Sequence, residues 1–195
     1  IARGDLDPAR IDQLLKYPRT EVKERATKLL GQSARADRAP VVKKYQAALN
    51  VEASAEKGRA VFQKTCATCH KAEGQGQDVG PNLATTTGRT PEDLVLHILD
   101  PNREVAPAYL SYNVETEDGR ILSGIIADES ANALTLKRAE GASDIIPRDR
   151  IEQIASSGLS LMPEGLENDI DPQAMADLIA YLRSIRAETA APPAR

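Results

Sequence analysis

Large side chains are rare in this sequence. Its 195 residues include five Tyr, one Phe and no Trp, so aromatics make up 3%. A core of this size ordinarily leans on large rings. Either small aliphatics fill it, or a bulky group that the sequence does not encode does. Cysteine is equally scarce, and two residues exclude both a disulfide-stapled scaffold and a four-cysteine zinc site. Histidine and methionine also number two each, so few side chains can serve as soft metal ligands. No apolar run approaches the ~20 residues of a membrane span. The opening, Ile1 to Asp7, has neither an initiator Met nor the apolar segment of a secretory leader, so the chain reads as a processed piece of something longer.

What is present is ordinary for a globular protein: 41% hydrophobic and 28% charged residues, enough for a real core. The net charge of −4 is unevenly spread. Residues 1–50 carry +5 and residues 51–195 carry −9. The basic residues of the first segment alternate with acids along helical stretches and have no aromatic stacking partners. They read as a solvated helical face or a dock for the acidic body, and no nucleic-acid partner is expected.

Capping and stop signals divide the chain. Asp7-Pro8 opens a helix that Pro18 stops. Thr20 starts a second, with Val22, Ala26, Leu29 and Leu30 on one face. A third begins near Pro40. Residues 1–50 are thus expected to be a helical N-terminal region, compatible with the end of a helical repeat array. Ser54 caps a helix that runs into Cys66-Ala67-Thr68-Cys69-His70, and residues 71–89 read as loop. Thr90-Pro91-Glu92-Asp93 starts a helix that ends at Asp100-Pro101. From Tyr109 the pattern turns to strands, with Asp118-Gly119 as a hairpin turn. Residues 109–154 are expected to form a small antiparallel sheet of three to five strands. A polar loop at 156–165 follows, then a last helix capped by Asp171-Pro172, and a Pro-containing tail at 190–195 expected to be disordered.

Cys66-x-x-Cys69-His70 is the most informative motif. Cysteines at i and i+3 lie on one side of a helical turn, so both sulfurs can form thioethers with one haem, and the adjacent imidazole can reach the iron. Two other readings compete. A dithiol redox pair wants a strand-then-helix context, whereas a helix precedes this motif. A zinc site wants a fourth ligand at motif spacing, and His97 is the only other histidine. The spacing therefore favours haem c. Candidates for the sixth iron position are Met162, Met175 and His97. Met175 shares a helical stripe with Leu178, Ile179 and Leu182, which suits a core residue. His97 sits between Leu96 and Ile98 on a helix. Met162 lies in a loop before Pro163 and is favoured. A thioether ligand raises the reduction potential over two imidazoles, and two protein ligands leave no open position for substrate at the iron.

At this point the chain resembles a class I cytochrome c. The segment from Glu56 to Phe62, containing Gly58, resembles the first helix of that family, whose glycine permits close crossing with the last. Asp177 to Arg183 resembles the last helix, and Gly80-Pro81-Asn82-Leu83 resembles the loop on the histidine side. The resemblance implies that the Pro81 carbonyl accepts a hydrogen bond from the His70 ring, and that Arg89 of Gly88-Arg89 pairs with a haem propionate. It also implies one haem held by Cys66 and Cys69, with His70 and Met162 as iron ligands. His70 and Met162 are 92 positions apart, longer than in compact members of the family; removing residues 109–151 leaves 49. Leu99 to Val105, Asp118-Gly119-Arg120 with Gly124-Ile125-Ile126, and Ser160 to Leu166 extend the match. Together they resemble the haem-binding CxxCH domain of planctomycetes and verrucomicrobia, over residues 15–186.

The expected fold is therefore mainly α with a β insertion: a cytochrome c-like helical domain over 51–189, interrupted at 109–154 by a small sheet and preceded by residues 1–50. The expected function is electron transfer. The donor would be a dehydrogenase domain of the same parent protein and the acceptor another redox carrier, in the bacterial periplasm or an equivalent compartment. A peroxidase or gas sensor with a labile sixth ligand is the rival. The inserted sheet either docks the partner or covers a haem edge.

Overall fold

Short polar side chains and prolines set the helix boundaries, as the computed structural model shows for the residues it describes: Leu14, 17–30, 37–86 and 88–185. The helix expected from Asp7-Pro8 and the tail at 190–195 lie outside these. The described α-helices are α1 (Thr20–Leu30), α2 (Ala39–Ala47), α3 (Ala55–Val61), α4 (Pro91–Leu99) and α5 (Pro172–Ser184). Three begin on predicted caps. The Ser54 side chain accepts from the Lys57 N–H at 3.4 Å, Thr90 from Asp93 at 3.2 Å, and Asp171 from Ala174 at 2.8 Å. Pro91 and Pro172 occupy first-turn positions that need no N–H partner.

Contacts divide the chain into two units. One comprises Ala39–Glu104, Lys137–Asp144 and Met162–Arg195; the other comprises Ile1–Arg38, Val105–Leu136 and Ile145–Leu161. The first unit holds a core of Phe62, Leu94, Val95, Leu99, Ile170, Met175, Leu178 and Leu182, with Val42 and Tyr45 from α2. Its tightest joint is the crossing of α3 and α5. A Cβ on Gly58 would lie 1.9 Å from the Asp177 carbonyl oxygen and 2.8 Å from Tyr181 Cβ, so only glycine permits this approach. The buried Asp177 side chain accepts the Ser54 N–H at 2.7 Å, which locks the start of α3 onto α5. Phe62 packs against Tyr181 with ring centroids 5.6 Å apart.

The strands are β1 (Leu110–Thr116), β2 (Ile121–Glu129), β3 (Ala133–Lys137), β4 (Ser143–Pro147) and β5 (Ile151–Ser160), in the order β4-β3-β2-β1-β5. β1 pairs antiparallel with both β2 and β5. Asp118-Gly119 makes the β1–β2 turn as predicted, with the Gly119 N–H donating to the Thr116 carbonyl at 2.7 Å and Gly119 at φ 77°. Val114, Leu134, Leu136 and Ile146 form a separate buried cluster in this sheet.

This corrects the expected fold class. The chain is not mainly α with a small insertion; it combines five described helices with a five-stranded sheet that has its own core. The misreading has a local cause. Ser156 to Ser160 look like loop, yet they are the second half of β5. An edge strand with one neighbour has no need of apolar residues on both faces. Register irregularities in the β1–β5 pairing absorb Gly158, which sits at φ 67°.

Candidate functional site

The Cys66-x-x-Cys69-His70 motif grows directly out of α3. At Val61 the helix widens into a π-turn, Phe62–Cys66, closed by the Ala67 N–H on the Phe62 carbonyl at 2.9 Å. The N–H groups of Cys69 and His70 then both reach the Cys66 carbonyl, at 3.0 and 2.9 Å. Cys66 and Cys69 therefore bracket a single tight turn, and both are free thiols. Burial, with a smaller contribution from neighbouring Cys69, pushes the Cys66 thiol up to about 12. Such surroundings disfavour the thiolate that a redox nucleophile needs. They suit a sulfur with no proton to lose, which is what a thioether is. Among the described residues, no three His, Cys, Asp or Glu side chains gather as a metal site.

His70 Nδ1 lies 2.8 Å from the Pro81 carbonyl oxygen. A carbonyl can only accept, so Nδ1 carries the proton and Nε2 keeps a free lone pair. Burial lowers the pKa of this ring, against a smaller opposing effect of the Pro81 hydrogen bond, and so favours the neutral form that binds a metal. The loop bearing Pro81 is fixed by backbone bonds. Val79 and Gly80 donate to the Cys69 carbonyl at 3.0 and 2.7 Å, and Leu83 donates to the Lys71 carbonyl at 2.8 Å. Gly80 was not singled out as a site residue by sequence, although it precedes Pro81. A Cβ there would lie 2.5 Å from His70 Cε1 and 2.8 Å from Nδ1, so its bare backbone forms the wall against which the imidazole rests.

Met162 is half-buried and follows the end of β5 within the same unit as His70. The strap it opens, residues 162–170, leads to the buried Ile170 and the cap of α5. The Asn102 amide, 7% exposed, donates to Glu164 Oε1 at 2.6 Å. The Tyr45 hydroxyl lies 2.8 Å from the Ile170 carbonyl and 3.1 Å from that of Glu167. Sequence reasoning assigned no role to Asn102 or Tyr45. Asn102 lies within the Leu99 to Val105 resemblance, and Tyr45 on the helix that begins near Pro40.

The other candidates sit differently. Met175 is fully buried among the aliphatics of α5. His97 is half-buried in the last turn of α4. Arg89 is exposed beside the start of α4, its guanidinium 3.8 Å from the Asp93 carboxylate. Elsewhere near the attachment loop, Arg59 pairs with Glu73 and lies over the Tyr181 ring, 5.8 Å from its centroid.

Two thiols on one turn, the buried Cys66 held as the thiol, followed by a neutral imidazole oriented through Nδ1, fit a covalently attached haem. In agreement, a family model for cytochrome c matches residues 55–186, and the chain belongs to the cytochrome c family. Membership implies covalently bound haem c with iron, an electron-transfer role and redox partners. No curated protein matches the chain significantly. No described helix is long and apolar enough to cross a membrane.

Proposed function

We propose that this chain is a class I electron carrier with histidine–methionine ligation, of the type found in planctomycetes and verrucomicrobia. In this reading Cys66 and Cys69 tether the macrocycle, His70 Nε2 and Met162 Sδ hold the iron, and Arg89 exchanges its weak surface pairing with Asp93 for a propionate. When bound, the haem supplies a one-electron couple. The protein's part is to fix its ligands and limit water around it, which lowers the reorganisation that accompanies each transfer.

The observation that carries this reading is the His70–Pro81 hydrogen bond, because it presets one axial ligand's tautomer and orientation. Met162 is chosen as the other ligand because Met175 serves the helical core. Its strap is also held at several points, as a ligand that must not swing away requires. Two strong protein ligands favour a carrier over a peroxidase or sensor.

The donor in this reading is a dehydrogenase domain of a longer parent protein and the acceptor a second redox carrier. Haem c attachment outside the cytoplasm makes the periplasm or an equivalent compartment the site of action. Visible spectra of holoprotein beside Met162→Ala and His97→Ala test the ligand set. The wild type should show a low-spin spectrum with a thioether-to-iron charge-transfer band that only Met162→Ala abolishes. A band absent from the wild type, with a spectrum altered by His97→Ala, would mean bis-histidine ligation. A high-spin iron that readily takes up added ligands would overturn the carrier reading.

A further inference from the structure

The cytochrome c match begins at residue 55, yet one contact to the methionine strap comes from before it. We infer that Tyr45, on α2, is a positioning residue for the sixth iron ligand, so that the helix preceding the matched region helps set how firmly the iron is held. The inference deepens the ligand assignment proposed above and rests on it.

Tyr45 is 3% exposed, and its hydroxyl reaches across the unit to the two strap carbonyls, of Glu167 and Ile170. One O–H donates one proton, so these carbonyls share it as a forked bond. Burial first, and then the negative charges of Glu167 and Asp171, raise the phenol's pKa. The group therefore remains a donor across the ordinary pH range. Without it, the Ile170 carbonyl loses its phenol donor where the strap end is locked in the core. Asn102 holds the same strap at Glu164, two positions from Met162. The strap is thus pinned near its ligand end and near its core end. α2 is in turn tied to α4 by the Gln46 amide on the Glu92 carbonyl at 3.1 Å, and packed through Val42. A displacement of α2 therefore reaches the strap through the Tyr45 hydroxyl.

The test is imidazole binding to the ferric holoprotein, because imidazole must displace the methionine. It is measured for wild type, Tyr45→Phe, Ile179→Val and Met162→Ala. Tyr45→Phe keeps the ring and removes only the donor. Losing one net hydrogen bond corresponds to about a three- to ten-fold change in an equilibrium constant, so imidazole should bind that much more tightly. The thioether-to-iron band should also fade at a lower temperature than in wild type. Ile179→Val removes one buried methylene from α5 and has no hydrogen bond to lose; it should lower stability without changing imidazole affinity. Equal affinities for wild type and Tyr45→Phe, or an Ile179→Val affinity that rises as much, would overturn the inference. If Met162→Ala leaves the band in place, the ligand assignment falls and the inference with it. If Met162→Ala abolishes the band while Tyr45→Phe moves nothing, the inference alone falls.

Discussion

Replacing Gly58 by alanine sets two contributions of opposite sign against each other. Alanine is the better helix former, by about 1 kcal/mol in a helix interior. If α3 stood alone, the substitution would stabilise it. In the folded protein the new Cβ would sit 1.9 Å from the Asp177 carbonyl oxygen and 2.4 Å from its carbon. Both are backbone atoms of α5, so no side chain can rotate away. To restore ordinary contact, α3 and α5 must separate by more than an ångström. That loosens Phe62 against Tyr181 and stretches the bond from Ser54 to Asp177. Overpacking a close contact costs about 1–3 kcal/mol, and an unyielding backbone partner puts this case at or above the upper end. The clash therefore wins, with a net loss of about 2 kcal/mol and a fall in Tm of roughly 4–8 °C for a chain of this size. The assay is thermal and denaturant unfolding of holoprotein, followed by far-UV circular dichroism. Gly88→Ala serves as the comparison, since a Cβ there meets nothing within 4 Å; it should change stability by no more than about 0.5 kcal/mol. A Gly58→Ala protein as stable as wild type would refute the close-crossing argument.

Two further substitutions test other parts of the molecule. Gly80→Ala should push the His70 ring off the Pro81 carbonyl, because the new methyl would overlap Cε1 and Nδ1. With its second ring nitrogen unpaired, His70 as the proposed iron ligand becomes less basic, and the reduction potential measured by redox titration should rise; an unchanged potential would count against that orientation. Leu134→Ala empties part of the sheet's core, where the side chain is fully buried. It should cost about 2–5 kcal/mol in denaturant unfolding, and a loss below 1 kcal/mol would show that this cluster contributes little.

What could be read from sequence was local. Ser54, Thr90 and Asp171 announce helix starts because a cap and the N–H it satisfies are three residues apart. The Cys66–His70 motif is legible for the same reason, since its chemistry lies within one turn. The sheet's existence followed from alternation in β1 to β3, but its extent did not, because the serines of β5 carry an edge strand's polarity. The unread parts of the site depend on distant pairs. Asn102 and Glu164 are 62 positions apart, and Tyr45 and Ile170 are 125 apart. Nothing in either neighbourhood marks the partner. Gly80 lay between these extremes: it is adjacent to Pro81, but its purpose appears only when the imidazole is seen against it.

The division of the chain into two units limits how it can be taken apart. Membership changes at 38/39, 104/105, 136/137, 144/145 and 161/162, so residues 137–144 belong with helices α2 to α5 although strands flank them on both sides. Within that unit the Glu140 N–H donates to the Thr68 carbonyl at 2.9 Å, between Cys66 and Cys69. The Lys137 ammonium donates to the Asp78 carbonyl at 2.8 Å, two residues before Gly80. Excising the strand block as a cassette would therefore also remove supports of the Cys66–Cys69 turn and of the loop that carries Pro81. The sheet is not a detachable ornament in the genetic sense: any recombination that swaps it must bring a compatible 137–144 segment with it.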